Sequence, residues 1–176
     1  YGDHRDLHYP LRRQRQMCIR DSINTDAEGR VILSDAIEYA NRLKVSEMID
    51  LATLTGACMV ALGNYTAGLF SNTVRQAEKI LKSSNNAGEK IWELPLDEDL
   101  RSSIESNIAD IKNSASTRYG GAITAAMFLQ HFVDKSIPWS HIDIAGPAYI
   151  DSKRSWLAPG ATGFGVMTLL DYLGAI

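Results

Sequence analysis

The run Asn24-Thr25-Asp26-Ala27-Glu28-Gly29-Arg30 is where this chain could do chemistry. It sets two carboxylates two residues apart, then a glycine, then an arginine. On a helix, residues two apart are turned by roughly 200° and their side chains diverge. An extended segment or a tight loop lets both carboxylates reach one point. Two hard oxygen ligands meeting at one point suit a divalent cation. Gly29 permits a sharp turn or a close backbone approach. Arg30 presents a fixed fork for an anion. Types and spacing therefore fit a loop that holds a metal beside an anion. They also fit a solvated turn before a helix, because Asn, Thr and Asp are ordinary helix-start residues.

The elements that position this run follow from hydrophobic periodicity. Leu33, Ala36, Ile37, Ala40 and Leu43 fall at helical spacing, with Ser34 and Asp35 suited to the first turn. Residues 48–54 form a short apolar run and predict a buried strand. Thr55-Gly56 then starts a helix of small residues over 57–62. A strand is expected over 66–71 and a helix over 74–83, broken by Asn85-Asn86-Ala87-Gly88. Residues 91–95 read as extended, 97–107 as a helix with an acidic start, and 109–113 as a short strand. Residues 121–133 predict a buried helix. Residues 139–145 alternate Trp139, His141 and Asp143 against Ser140, Ile142 and Ile144, so they predict a strand with two different faces. A loop over 155–165 and a helix over 166–173 close the chain. Alternating strands and helices predict an α/β fold, a mixed and largely parallel sheet with helices on both faces.

Other candidates are weaker. His141 and Asp143 share a strand face and could serve as metal ligands; a partly buried polar pair beside Trp139 is the favoured alternative. There is no H-E-x-x-H helix and no G-x-S-x-G elbow. Gly160-Ala161-Thr162-Gly163-Phe164-Gly165 lacks the lysine of a phosphate loop and reads as helix-start chemistry. Cys58, among small apolar residues, reads as a buried thiol.

With 176 residues and 45% hydrophobic content, the chain suits one soluble domain. A net charge of -3 argues against a nucleic-acid partner, and no apolar run approaches the ~18 residues of a membrane span. The two cysteines, Cys18 and Cys58, give no disulfide framework, which fits a reducing compartment.

The run 24–30 spells N-T-D-A-E-G-R and resembles the signature of the leucyl (cytosol) aminopeptidase family, two-metal peptidases that assemble as hexamers. Leu51-Ala52-Thr53-Leu54-Thr55-Gly56-Ala57, Gly121-Ala122-Ile123-Thr124-Ala125-Ala126, Trp139-Ser140-His141-Ile142-Asp143-Ile144-Ala145-Gly146-Pro147 and Gly160-Ala161-Thr162-Gly163-Phe164-Gly165-Val166 resemble later blocks of that family, in its order. The resemblance implies the C-terminal portion of a zinc-peptidase-like catalytic domain over residues 23–176. It implies that Asp26 and Glu28 ligate a pair of divalent metals, Zn or Mn, with Mg or Co possible. It implies that Arg30 is catalytic and holds a bicarbonate acting as general base; a salt bridge capping the next helix is its alternative. Thr53, Leu54, Gly56, Ala145 and Ala148 would wall the pocket for the substrate's N-terminal side chain, and Asn24 and Ala27 would line the next subsite. Peptide substrates with apolar N-terminal residues, a homohexamer and a cytoplasmic location follow from the same resemblance.

In that family a lysine and two aspartates that complete the metal site, and a second catalytic lysine, precede the signature. No V-G-K-G, D-S-G-G or M-K-x-D-M segment occurs here. Residues 1–22 carry five arginines against three aspartates, show no apolar periodicity and do not resemble the family; they are expected to be a disordered or artefactual segment, with Met17-Cys18-Ile19-Arg20-Asp21-Ser22 resembling translated adapter sequence and the natural chain beginning near Ile23. The chain alone is therefore expected to be inactive. Two other readings stay open: a non-catalytic assembly or regulatory subunit of the same fold, and nucleic-acid binding through the basic first 22 residues.

Overall fold

The computed structural model describes residues 20–21, 27–155 and 157–176. In chain order the strands and helices are β1 (Arg20–Asp21), α1 (Glu28–Arg42), β2 (Met48–Ala52), α2 (Gly56–Leu62), β3 (Ala67–Ser71), α3 (Val74–Ala87), β4 (Ile91–Glu93), a 3₁₀ segment (Glu98–Ile104), β5 (Ile111–Lys112), α4 (Gly121–Gln130), β6 (Trp139–Asp143), β7 (Tyr149–Ile150), β8 (Gly160–Ala161) and α5 (Val166–Tyr172).

The central sheet has the order β2-β6-β3-β4. β2 runs parallel to β6, and β3 parallel to β4; β3 runs antiparallel to β6. The expected mixed α/β sheet is therefore present. Period-two alternation along β6 divides the core. Trp139 and Phe70 share one face with Met127 and Phe128 of α4 and Cys58 of α2. Ile142 and Leu69 share the other with Ala77 and Ile80 of α3 and Tyr172 of α5. Helices thus cover both faces, and all these side chains are buried. Among the described residues no helix is long and apolar enough to cross a membrane.

Four local expectations are corrected. Residues 28–30 belong to α1 rather than to a loop, so the helix starts six residues before Ser34. Glu28 in the first turn suits the positive end of the helix dipole. Ser34 caps nothing; it is buried in mid-helix and its hydroxyl donates to the Val31 carbonyl at 2.7 Å. α3 continues through Asn85 and Asn86 and stops at Gly88, whose φ of 71° is the left-handed conformation that glycine adopts freely. The helix expected over 97–107 is a 3₁₀ segment ending at Ile104, opened by Asp97 accepting from the Asp99 amide at 3.0 Å. A two-residue antiparallel ladder, Tyr149–Ile150 with Gly160–Ala161, interrupts what reads as loop.

Two other expectations hold. Thr55 caps α2, accepting from the Cys58 amide at 3.0 Å, and Gly165 precedes α5. Cys58 is 1% exposed. Burial, with the Asp143 charge adding to it, pushes its thiol up to about 11. The folded protein therefore keeps a proton that an unfolded thiol sheds at about 8.5–9. That stabilisation is complete below about pH 9 and is lost as pH rises toward 11. Comparing urea unfolding of the protein with that of C58A should show an extra loss of about 2 kcal/mol between pH 8.5 and 11 in the cysteine form alone.

Candidate functional site

The site is built where two parallel strands end. β2 and β6 pair in register from Met48↔Trp139 to Ala52↔Asp143, so their C-terminal ends lie side by side. In open α/β sheets this is the edge where ligands collect. The chain then turns away at Thr53-Leu54 and at Ile144-Ala145. The turns leave backbone amides with no ladder partner, and one side chain satisfies them.

Asp143, 0% exposed, is that side chain. Its Oδ1 accepts from the Leu54 amide at 3.0 Å and from the Ala145 amide at 3.1 Å. Its Oδ2 accepts from the Thr55 hydroxyl at 2.8 Å. A buried carboxylate left unpaired is very costly; here three donors stabilise its charge. Arg30 supplies a nearby positive charge. Burial lowers the guanidinium's pKa from the ordinary arginine value, and the Asp143 charge acts in the opposite direction. Arg30 Nη1 donates to the Asn113 carbonyl at 2.8 Å, which ties the first turn of α1 to the turn after β5.

His141 and Asp143 are both buried polar residues, as the favoured reading has it, but fully rather than partly buried and with separate partners. His141 is 0% exposed, and its Nδ1 lies 2.5 Å from Oδ1 of Asp50, its cross-strand partner on β2. Asp50 Oδ2 accepts from the Trp139 indole at 2.6 Å. The His141 ring stacks between Phe70 and Trp139. This is a structural pin below the site rather than a ligand set.

Of the residues singled out from the sequence, Arg30, Leu54 and Ala145 converge around Asp143. Thr53 and Gly56 flank the turn and are exposed. Ala148 is half-buried on the β7–β8 side, where its carbonyl accepts from the Thr162 amide at 3.0 Å. Ala27 is 4% exposed, just before α1. Glu28 is exposed on the first turn of α1. Asn24 and Asp26 lie outside the described residues. Sequence reasoning missed the part Asp143 plays. Its place at the end of a buried strand face was legible, but not the strand end beside it whose turn supplies its donors.

Among the described residues no three His, Cys, Asp or Glu side chains cluster closely enough to hold a metal ion. Both oxygens of Asp143 are taken by protein donors. Glu28 is one carboxylate, and one carboxylate does not hold a divalent cation. The described residues by themselves therefore do not make up a metal site.

Residues 17–170 match the catalytic domain of the cytosol aminopeptidase family. The chain belongs to that family. A probable cytosol aminopeptidase of Aquifex aeolicus is 56% identical over 151 residues, 85% of this chain and 30% of the relative. One from Persephonella marina is 54% identical over 150 residues, with the same coverage. The chain thus spans about 30% of the length of these curated relatives. Two solved structures share the family fold at 43% identity, each over 89% of this chain. One is a tomato leucine aminopeptidase mutant, with a TM-score of 0.83 and 30% of its own chain covered. The other is the bottromycin maturation enzyme BotP, with a TM-score of 0.85 and 35% covered. Family membership makes the chain part of a peptide-hydrolase catalytic domain.

The pin below the site is testable. D50A leaves the Trp139 indole and the His141 ring without their acceptor in a buried setting, and should lower unfolding free energy by about 3 kcal/mol in urea. D50N keeps one acceptor oxygen and should cost less.

Proposed function

We propose that this chain carries part of the active site of a metal-dependent aminopeptidase that removes apolar, leucine-like residues from peptide N-termini. The observation that carries the reading is the convergence of Arg30, Leu54 and Ala145 on Asp143 at the paired ends of β2 and β6. Leu54 and Ala145, with Thr53, Gly56 and Ala148, give a wall of backbone and small side chains, suited to an apolar substrate side chain. Asn24 and Ala27 would line the neighbouring subsite. Arg30, half-buried and held by the Asn113 carbonyl, is oriented for an anion such as bicarbonate.

Asp26 and Glu28 would each give a carboxylate to a pair of divalent cations, Zn or Mn in the first place and Mg or Co as alternatives. Those cations, when bound, supply an activated water and polarise the scissile carbonyl. Asp26 and Glu28 are too few to hold two metals, and the remaining ligands expected from the family have no counterpart segment in this sequence. A cytoplasmic location and a homohexamer belong to the same proposal, in keeping with relatives named cytosol aminopeptidases.

Alone, with Mn²⁺ or Zn²⁺, the chain should turn over no leucyl-p-nitroanilide; measurable turnover overturns the incomplete-site part of the proposal. Joined to the upstream segment of the Aquifex aeolicus relative, it should hydrolyse that substrate. In the joined protein R30A should lower kcat by about 100-fold, and E28Q should weaken metal affinity by at least 10-fold. A folded, metal-loaded chimera without activity would sink the enzyme reading.

A further inference from the structure

The carboxylate of Asp143 fixes a distance. Leu54 and Ala145 leave two different strands, yet their amides meet the same oxygen, at 3.0 and 3.1 Å. Their nitrogens are therefore at most about 6 Å apart. The two residues belong to the wall of the pocket proposed above. The second oxygen holds Thr55, whose hydroxyl also caps α2 and so sets where the Thr53–Gly56 turn ends. The positive charge of Arg30 lies close enough to interact with the same carboxylate. One fully buried side chain thus joins the ends of β2 and β6 and the start of α2.

We infer that Asp143 is the positioning residue that sets substrate specificity: it holds the pocket walls at the spacing that accepts a branched apolar side chain, without touching the substrate or a metal. This rests on the assignment of Leu54 and Ala145 to the substrate pocket. Asp50 is the internal contrast. It anchors the same pair of strands two residues earlier, but its partners, Trp139 and His141, are not pocket residues. Loss of strand anchoring alone would therefore affect Asp50 and Asp143 variants alike, whereas specificity should respond to Asp143 only.

The test uses the full 176-residue chain, which is expected to bind a leucyl amide without turning it over. Leucinamide and glycinamide are titrated by NMR, following the Leu54 and Ala145 amides. The protein should prefer leucinamide by about 10-fold. D143A should abolish the preference, to within about twofold. D143N keeps an acceptor oxygen for both amides and should restore at least half of it. D50N should leave it unchanged. Should D143A fail to fold, T55V, which removes one donor and spares the two amides, should reduce the preference about threefold. A folded D143A with the full preference overturns the inference and leaves the pocket assignment standing. With D143A unfolded, a T55V protein that keeps the full preference does the same. No preference in the unsubstituted protein overturns the pocket assignment, and the inference with it.

Discussion

A negative charge sealed away from water persists only where protein donors replace the solvent it has lost. Asp143 meets that condition at one place in this fold, where the ends of β2 and β6 leave amides unpaired. The requirement runs both ways. The turns need an acceptor because their amides have left the sheet, and the carboxylate needs the turns because they supply its hydrogen-bond donors. Much of the surrounding sequence follows from this. The Thr55 hydroxyl is the third donor, and small residues on both turns allow the chain to come close.

Polar anchors line both faces of β6, and together they fix its register. Toward α2 and α4 the anchors are His141 and Asp143. Toward α3 the Ser140 hydroxyl lies 2.8 Å from that of Ser71 on β3 and donates to Gln76 Oε1 at 2.9 Å, and Gln76 donates back to the Met48 carbonyl of β2. A one-residue slip of β6 would reverse its faces and break every one of the bonds made by its own side chains. An apolar strand such as Val-Ile-Val would have no such penalty for slipping. The cost of burying these polar groups is offset by the bonds they make, although Nε2 of His141 has no hydrogen-bond partner, and the strand end is held at a definite place.

Period-two alternation in residues 139–145 was enough to place His141 and Asp143 on one buried face, and helical spacing was enough to find α3. What single-sequence reasoning could not supply was pairing. Asp50 and His141 are 91 residues apart, and no local pattern says that β2 lies beside β6. The start of α1 was also misplaced for a physical reason. Gly29 argues for a loop, and no Ser, Thr or Asp stands at the cap, where Ala27 makes no side-chain bond. Packing of Ile37, Leu33 and Ala40 against the core outweighs that weak start. Of the candidate residues, Arg30 and Leu54 were legible from the N-T-D-A-E-G-R and Thr-Leu-Thr-Gly runs, whereas the acid that brings them together was not.

The reversal of direction between β6 and β3 has a geometric result. It brings the chain that enters β3 alongside the chain that leaves β6, and a Cβ on Gly146 would stand 2.5 Å from the Gly63 carbonyl oxygen. Backbone meets backbone there, leaving no room for a side chain at position 146. That flank is sealed like the closed end of a trough. A molecule seated above the two strand tips would meet closed backbone on the β3 side.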